Sequence, residues 1–218
     1  MTLPSWREHA VARSLDPARA RAEQRVQRFL DAALELMTTS PGREFTVQEV
    51  VERSGQSLRS FYQYFGGKHE LLLAVFEETV REAAERLQAV IRDVEGPSDR
   101  LRCLVVEYYR MCRPSPAGRG ARALMPAMVE FAQDLMTTQP TEASRIFVPL
   151  VALFDRVLAD AAAVGAVRGD VDVTGVLLQA IMFNAFAATI SGTRRRTADD
   201  AEQLWDLVLH GISQRPGV

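Results

Sequence analysis

A single lysine, Lys68, stands among the 26 basic residues of this 218-residue chain, a bias toward arginine that by itself implies no mechanism. Cysteine is scarce too. Cys103 and Cys112 lie nine apart on what reads as one helix, a spacing that suits neither a disulfide nor a metal motif, so free thiols are expected. The three histidines, His9, His69 and His210, do not cluster, and no metal-ligand spacing, phosphate-cradling glycine loop or nucleophile elbow accompanies them. Catalysis needs converging titratable groups, so the expectation is a protein that is not an enzyme and needs neither metal nor cofactor. No stretch approaches the ~18 consecutive apolar residues that would cross a bilayer, and residues 1–13 lack the apolar core and cleavage site of a signal peptide. A cytoplasmic location is expected.

With 47% apolar and 25% charged residues the composition is that of an ordinary globular protein, and the length suits one small domain plus one larger one. The net charge of −2 argues against a protein that coats nucleic acid along its whole surface. Charge is mildly uneven. Residues 1–68 carry ten basic against eight acidic side chains, and residues 69–218 carry 16 against 20, which fits DNA contact confined to one end.

The most specific stretch is 46–68, TVQEVVERSGQSLRSFYQYFGGK. Thr46 followed by Glu49 has capping-box spacing, so a short helix should start here, with Val47, Val50 and Val51 on its apolar face. Ser54-Gly55 should end it, since glycine adopts a left-handed backbone at a helix end without strain. Ser57 then caps a second helix in which Leu58, Phe61 and Phe65 point inward. The opposite face carries Arg59, Ser60 and Gln63, flanked by Tyr62 and Tyr64, with no carboxylate among them. Such a face suits DNA: a guanidinium fork matches guanine O6 and N7, an amide can pair with adenine, and phenols can donate to phosphate. Lys68 opens the next helix, adding its charge to free N–H groups at a positive helix end, a natural phosphate clamp.

At these residues the chain resembles the tetracycline-repressor (TetR) family of transcriptional regulators, whose pattern is met in register by Gly55, Ser57, Tyr62, Tyr64, Phe65, Lys68, Glu70 and Leu71. Val51 stands where the family usually has alanine, Gln56 where it usually has valine, and Phe61 where an aliphatic residue is common. The resemblance implies an all-α fold, an N-terminal three-helix helix-turn-helix DNA-binding domain followed by a larger C-terminal helical domain for ligand binding and dimerisation. It implies DNA contact by Thr46, Arg59, Tyr62, Tyr64 and Lys68, with Ser57, Ser60 and Gln63 beside them.

Along the chain, residues 1–15 form no periodic pattern and are expected as a flexible arm. Asp16-Pro17 offers a helix start, and Val26, Phe29, Leu30, Ala33, Leu34 and Met37 form one apolar stripe that should cover the helix-turn-helix from behind. Phe45, just ahead of Thr46, is placed as a staple. The DNA-binding domain is thus expected over 16–68 and the larger domain over 69–218. A long helix over 68–94 should join them and could transmit movement to the DNA-reading helix. Helices over 99–113, 121–136 and 142–164 follow, the last two with internal prolines, Pro126 and Pro149, whose kinks can leave space for a pocket. Residues 173–191 are strongly apolar, and a final helix covers 199–212.

In the mechanism that the resemblance implies, a small ligand in the C-terminal domain releases a repressor from its operator. Tyr108, Met111, Met128, Phe131, Phe147 and Phe154 suggest an apolar or amphipathic inducer, and Asn184, an amide in an apolar helix, must find a hydrogen-bond partner there, at its dimer mate or on the backbone. In the family the last two helices pair with a second copy, and Met182, Phe183, Phe186, Leu204 and Leu209 suit such a seam. A two-fold homodimer would read a palindrome. The alternative is a helical dimeric ligand- or protein-binding module that has lost operator binding, with Val51 and Gln56 as the positions where damage would lie.

Overall fold

The computed structural model describes residues 6–39, 44–112, 131–167 and 200–212, together with 174, 175, 177, 178, 180 and 181. Its helices are α1 (Trp6–Thr39), α2 (Val47–Ser54), α3 (Leu58–Tyr64), α4 (Lys68–Ile91), α5 (Pro97–Met111), α6 (Pro140–Ala163) and α7 (Asp200–Ile212). Residues 131–138 are helical as well, and no strand occurs among the described residues. The fold is all-α. The chain divides into two compact units, Met1–Val75 and Phe76–Val218, with the division falling inside α4 rather than at its start.

In the first unit α1 packs on α2, and α2 on α3. The stripe on α1 is real: Phe29, Leu30, Ala33 and Met37 are buried, together with Ala32. Val50, Val51, Phe61, Phe65, Leu71 and Val75 are buried in the same unit, and Phe29 meets Phe61 and Phe65. Burial of so many large side chains is what stabilises elements as short as α3, whose seven residues would not hold a helix in isolation. An ion pair from Arg53 to Glu35 ties α2 to α1 at the surface. One expectation fails at the beginning. Helix α1 opens at Trp6 rather than at Asp16, so residues 6–15 are helical and not a loose arm. Alanine, arginine, leucine and glutamate dominate that stretch, all strong helix formers, and Pro17 is carried inside the helix instead of starting it.

In the second unit α5 is central, burying Leu101, Leu104, Val105, Val106, Tyr108 and Tyr109 and packing against both α6 and α7. Helix α6 answers with Ala143, Ile146, Leu150, Phe154, Val157 and Ala161 at three- and four-residue steps. Pro149 lies inside α6 on its exposed side, while Pro126 is outside the described residues. Two helix starts differ from expectation for one reason. Pro97 and Pro140 each occupy the first turn, where a missing N–H costs nothing, so α5 begins ahead of Ser98 and the break before α6 shrinks to Gln139. Gly96, at φ 80°, supplies the left-handed backbone that turns the chain from α4 into α5. Arg102 on α5 donates through Nε and Nη2 to Glu202 Oε2 on α7, at 3.1 and 2.7 Å.

Candidate nucleic-acid interface

Between α1 and α4 the local chemistry follows the sequence closely. Thr46 has extended backbone, and its Oγ1 accepts the Glu49 N–H at 3.2 Å while its own N–H donates to Glu49 Oε2 at 2.8 Å. The Thr46 hydroxyl also lies 3.0 Å from the same carboxylate, so its donor and acceptor capacity is committed to the cap. Gly55 closes α2 in the left-handed region at φ 64° and donates to Glu52 O. Ser57 then caps α3 by accepting the Ser60 N–H at 3.1 Å, which leaves its hydroxyl proton free.

Behind α3 stands an aromatic cluster. Phe29 of α1 meets Phe61 and Phe65 edge-on at 5.5 and 6.0 Å, and Phe61 lies 5.4 Å from Phe65. In front of it Arg59 and Gln63 are exposed, Tyr62 is 58% exposed with its ring edge-on to Phe61, and Tyr64 is half-buried. Two expected orientations are corrected. Ser60 does not offer its hydroxyl to the outer face: Oγ is buried, without a partner among the described residues, because Ser60 borders the inward side that Phe61 fills. Leu58 is 43% exposed instead of buried, since Phe61 and Phe65 occupy the space against α1.

Past Phe65 the turn is closed by a carboxylate. Glu70 reaches back from α4 so that its Oε2 accepts the Gly66 N–H at 2.6 Å, and a Cβ on Gly66 would meet Glu70 Oε1 at 2.8 Å. Lys68 is the first residue of α4. Its Nζ lies 3.4 Å from Glu44 Oε2 and 4.9 Å from the centre of the Phe45 ring, so the ammonium is held by an ion pair and a π face together. Sequence spacing did not reveal Glu44, because it reaches Lys68 only through the folded turn. Val51 is buried and Gln56 donates its side-chain amide to Gly55 O at 3.4 Å, so both departures fit without disturbing the cap.

The described candidate ligand residues fall into two groups. Tyr108 and Phe154 are core residues, in edge contact at 5.5 Å, and the Tyr108 hydroxyl is hydrogen-bonded with the Cys112 thiol. Burial pushes the Cys112 thiol up to about 12 and raises Tyr108 as well. Phe131 and Phe147 instead flank Phe76, at 5.8 and 5.6 Å, and Met111 is half-buried. An open groove of about 590 Å³ runs along α6, lined by Met136, Pro140, Phe147, Val148, Val151 and Asp155 among others. Among the described expected residues, only Phe147 borders it. Met128, Asn184, Met182, Phe183 and Phe186 lie outside the described residues; Leu204 and Leu209 are half-buried on α7, and Leu207, not singled out from sequence, is 72% exposed there.

Two short helices joined by a left-handed glycine turn, the second held by an aromatic cluster on a covering helix, make the first unit a helix-turn-helix domain. Residues 29–75, within that domain, match the family of bacterial regulatory proteins called tetR. The chain is 30% identical over 85 residues to the HTH-type transcriptional regulator BetI of Brucella anthropi, a match covering 39% of this chain and 44% of that protein. The similarity thus spans less than half the length of that relative. Over the whole fold it is similar to a TetR-family transcriptional regulator of Pectobacterium atrosepticum, at TM-score 0.69 with 19% identity, covering 91% of this chain and 99% of that one. It is likewise similar to the transcriptional regulator FadR of Bacillus subtilis in complex with stearoyl-CoA, at TM-score 0.64 with 16% identity, covering 85% and 98%. All three are transcriptional regulators. No helix among the described residues is long and apolar enough to cross a membrane.

Proposed function

We propose that the protein is a transcriptional repressor that binds a palindromic operator in the cytoplasm as a homodimer and is released by a small apolar or amphipathic ligand. The observation that carries this reading is the outer face of α3. Arg59, Tyr62 and Gln63 stand exposed on a helix whose back is locked by Phe29, Phe61 and Phe65, so a charged fork, a phenol and an amide are presented on a rigid support. Arg59 and Gln63 would read base edges; Ser57, Tyr62, Tyr64 and Lys68 would hold phosphates and set the register. Thr46 would act by ordering α2, its hydroxyl being engaged by Glu49.

Support for the ligand comes from the second unit. The groove along α6 and the rings around Phe76 are apolar, and the B. subtilis FadR in the comparison holds stearoyl-CoA, an amphipathic molecule. For dimerisation, Leu204, Leu207 and Leu209 put unburied apolar surface on α7, where a second copy would cover it, with Met182, Phe183 and Phe186 contributing from the segment before. A ligand that favours one state of the second unit would act through α4, which carries Lys68 at its beginning and contributes Phe76 and Leu87 to the second unit's core.

The test is fluorescence-anisotropy titration of ligand-stripped protein against DNA from upstream of its own gene and from genomic fragments, with scrambled duplexes as reference, over a salt series. Sequence-preferring, salt-sensitive binding with two chains per site is expected. Equal affinity for every fragment would overturn operator recognition.

A further inference from the structure

We propose that Glu44 is a positioning residue for Lys68: it holds the ammonium over the Phe45 ring in the free protein and competes with a DNA phosphate for it, so that Glu44 sets the strength and salt dependence of the phosphate contact. The inference rests on the DNA-binding reading above.

Three side chains carry it. Lys68 Nζ sits 3.4 Å from Glu44 Oε2 and 4.9 Å from the Phe45 ring centre. The two partners differ in kind. Phe45 is buried, 8% exposed, and so is a fixed platform, whereas the Glu44 side chain is 94% exposed and has no partner but the lysine among the described residues. An exposed ion pair contributes little and is easily exchanged, so a phosphate can take the carboxylate's place while the ring stays under the ammonium. The pair also spans the motif. Glu44 precedes the Thr46 cap and Lys68 opens α4, so the contact joins the two ends of the helix-turn-helix, 24 residues apart.

Two consequences follow from charge. Once displaced, the carboxylate faces a phosphate of its own sign, which weakens binding. It also gathers a cation of its own, which offsets part of the counterion release that drives DNA association.

The experiment uses the full chain and a fluorescein-labelled random-sequence duplex, because a phosphate contact needs no operator. Affinities are measured over a salt series for the wild type, Glu44→Gln, Lys68→Met and the double variant, with thermal unfolding of each as a check on folding. Glu44→Gln is expected to bind about 3- to 10-fold tighter at low salt, with the slope of log K against log[salt] steeper by up to about one. Lys68→Met should bind more weakly than Glu44→Gln, with a slope shallower than that variant's by about one. In the Lys68→Met background, Glu44→Gln should change affinity by less than about twofold. A gain from Glu44→Gln that persists undiminished without Lys68 would make Glu44 a diffuse charge and overturn the proposal; so would unchanged affinity and slope in the single variant. If the wild type binds no duplex at the lowest salt, the DNA-binding reading itself fails and this proposal falls with it, a result recognisable because no variant binds either.

Discussion

Phe61 stands edge-on to Phe29 with ring centres 5.5 Å apart and planes at 89°, and neither side chain has any exposed surface. The contact crosses from α3 to α1, so the orientation of a seven-residue helix is fixed by a ring on a helix of 34 residues. Edge-to-face pairs contribute about 0.5–1.5 kcal/mol beyond the area they bury, and Phe65 adds a second such contact to the same ring at 6.0 Å.

Truncation at that contact should therefore be severe. Phe61→Ala is expected to cost about 3–5 kcal/mol in urea unfolding, and Phe61→Leu less. DNA affinity should fall with the Ala variant although the side chain touches no DNA. Unfolding within about 0.5 kcal/mol of wild type would contradict the anchoring role.

The turn between α3 and α4 gives a second expectation. In Gly66→Ala the new Cβ drives the Glu70 carboxylate away, and the Gly66 N–H loses its acceptor, at a cost of about 1 kcal/mol. Glu70→Ala should cost a similar amount, and the double variant little more, since both remove one contact. Chemical denaturation of the three variants measures this; full additivity would mean that the bond contributes nothing.

On the exposed face, Arg59→Ala should relax preference at one operator position by about 1–3 kcal/mol, read by titrating duplexes substituted one base pair at a time. A uniform loss across all sequences would reassign Arg59 to the phosphates.

Alkaline pH tests the core of the second unit. The Cys112 thiol is raised by burial from its usual 9.0 to about 12, so between these values the unfolded chain loses its proton while the folded chain keeps it. The unfolded state then binds fewer protons, and stability falls as pH rises through this window, at up to about 1.4 kcal/mol per pH unit from this group. Below pH 9 the contribution is fully present. Cys112→Ala should flatten the decline measured by denaturant unfolding from pH 8.5 to 11, and the native thiol should resist disulfide-exchange reagents at neutral pH.

What could be read from the sequence was what depends on neighbours along the chain. The Thr46–Glu49 box, the Gly55 turn and the Ser57 cap are three-residue relations, and each appears as expected. The apolar stripe of α1 was legible for the same reason, being a period and not a contact. Asp16-Pro17 misled because proline at a first helical turn and proline carried inside a helix look alike until the preceding residues are seen to be helical. Ser60 and Leu58 misled because a helical wheel gives the angle of a residue and not the depth of its neighbours; which of them is covered depends on how far Phe29 reaches. Of the groove on α6 the sequence offered only Phe147 and the pocket signal of Pro149. Phe147, Val148 and Val151 look like core by type, and only the packing of α6 on α5 reveals that they lie beside the buried stripe.

Lys68, finally, is the single lysine of the chain, with a side chain 32% exposed. Apart from an α-amino group, the protein has one primary amine, located where α4 begins. Any amine-selective acylating reagent therefore becomes a site-directed probe of the helix-turn-helix without mutagenesis: one adduct removes one charge, and protection of that amine by DNA can be weighed as a single mass increment on the intact chain.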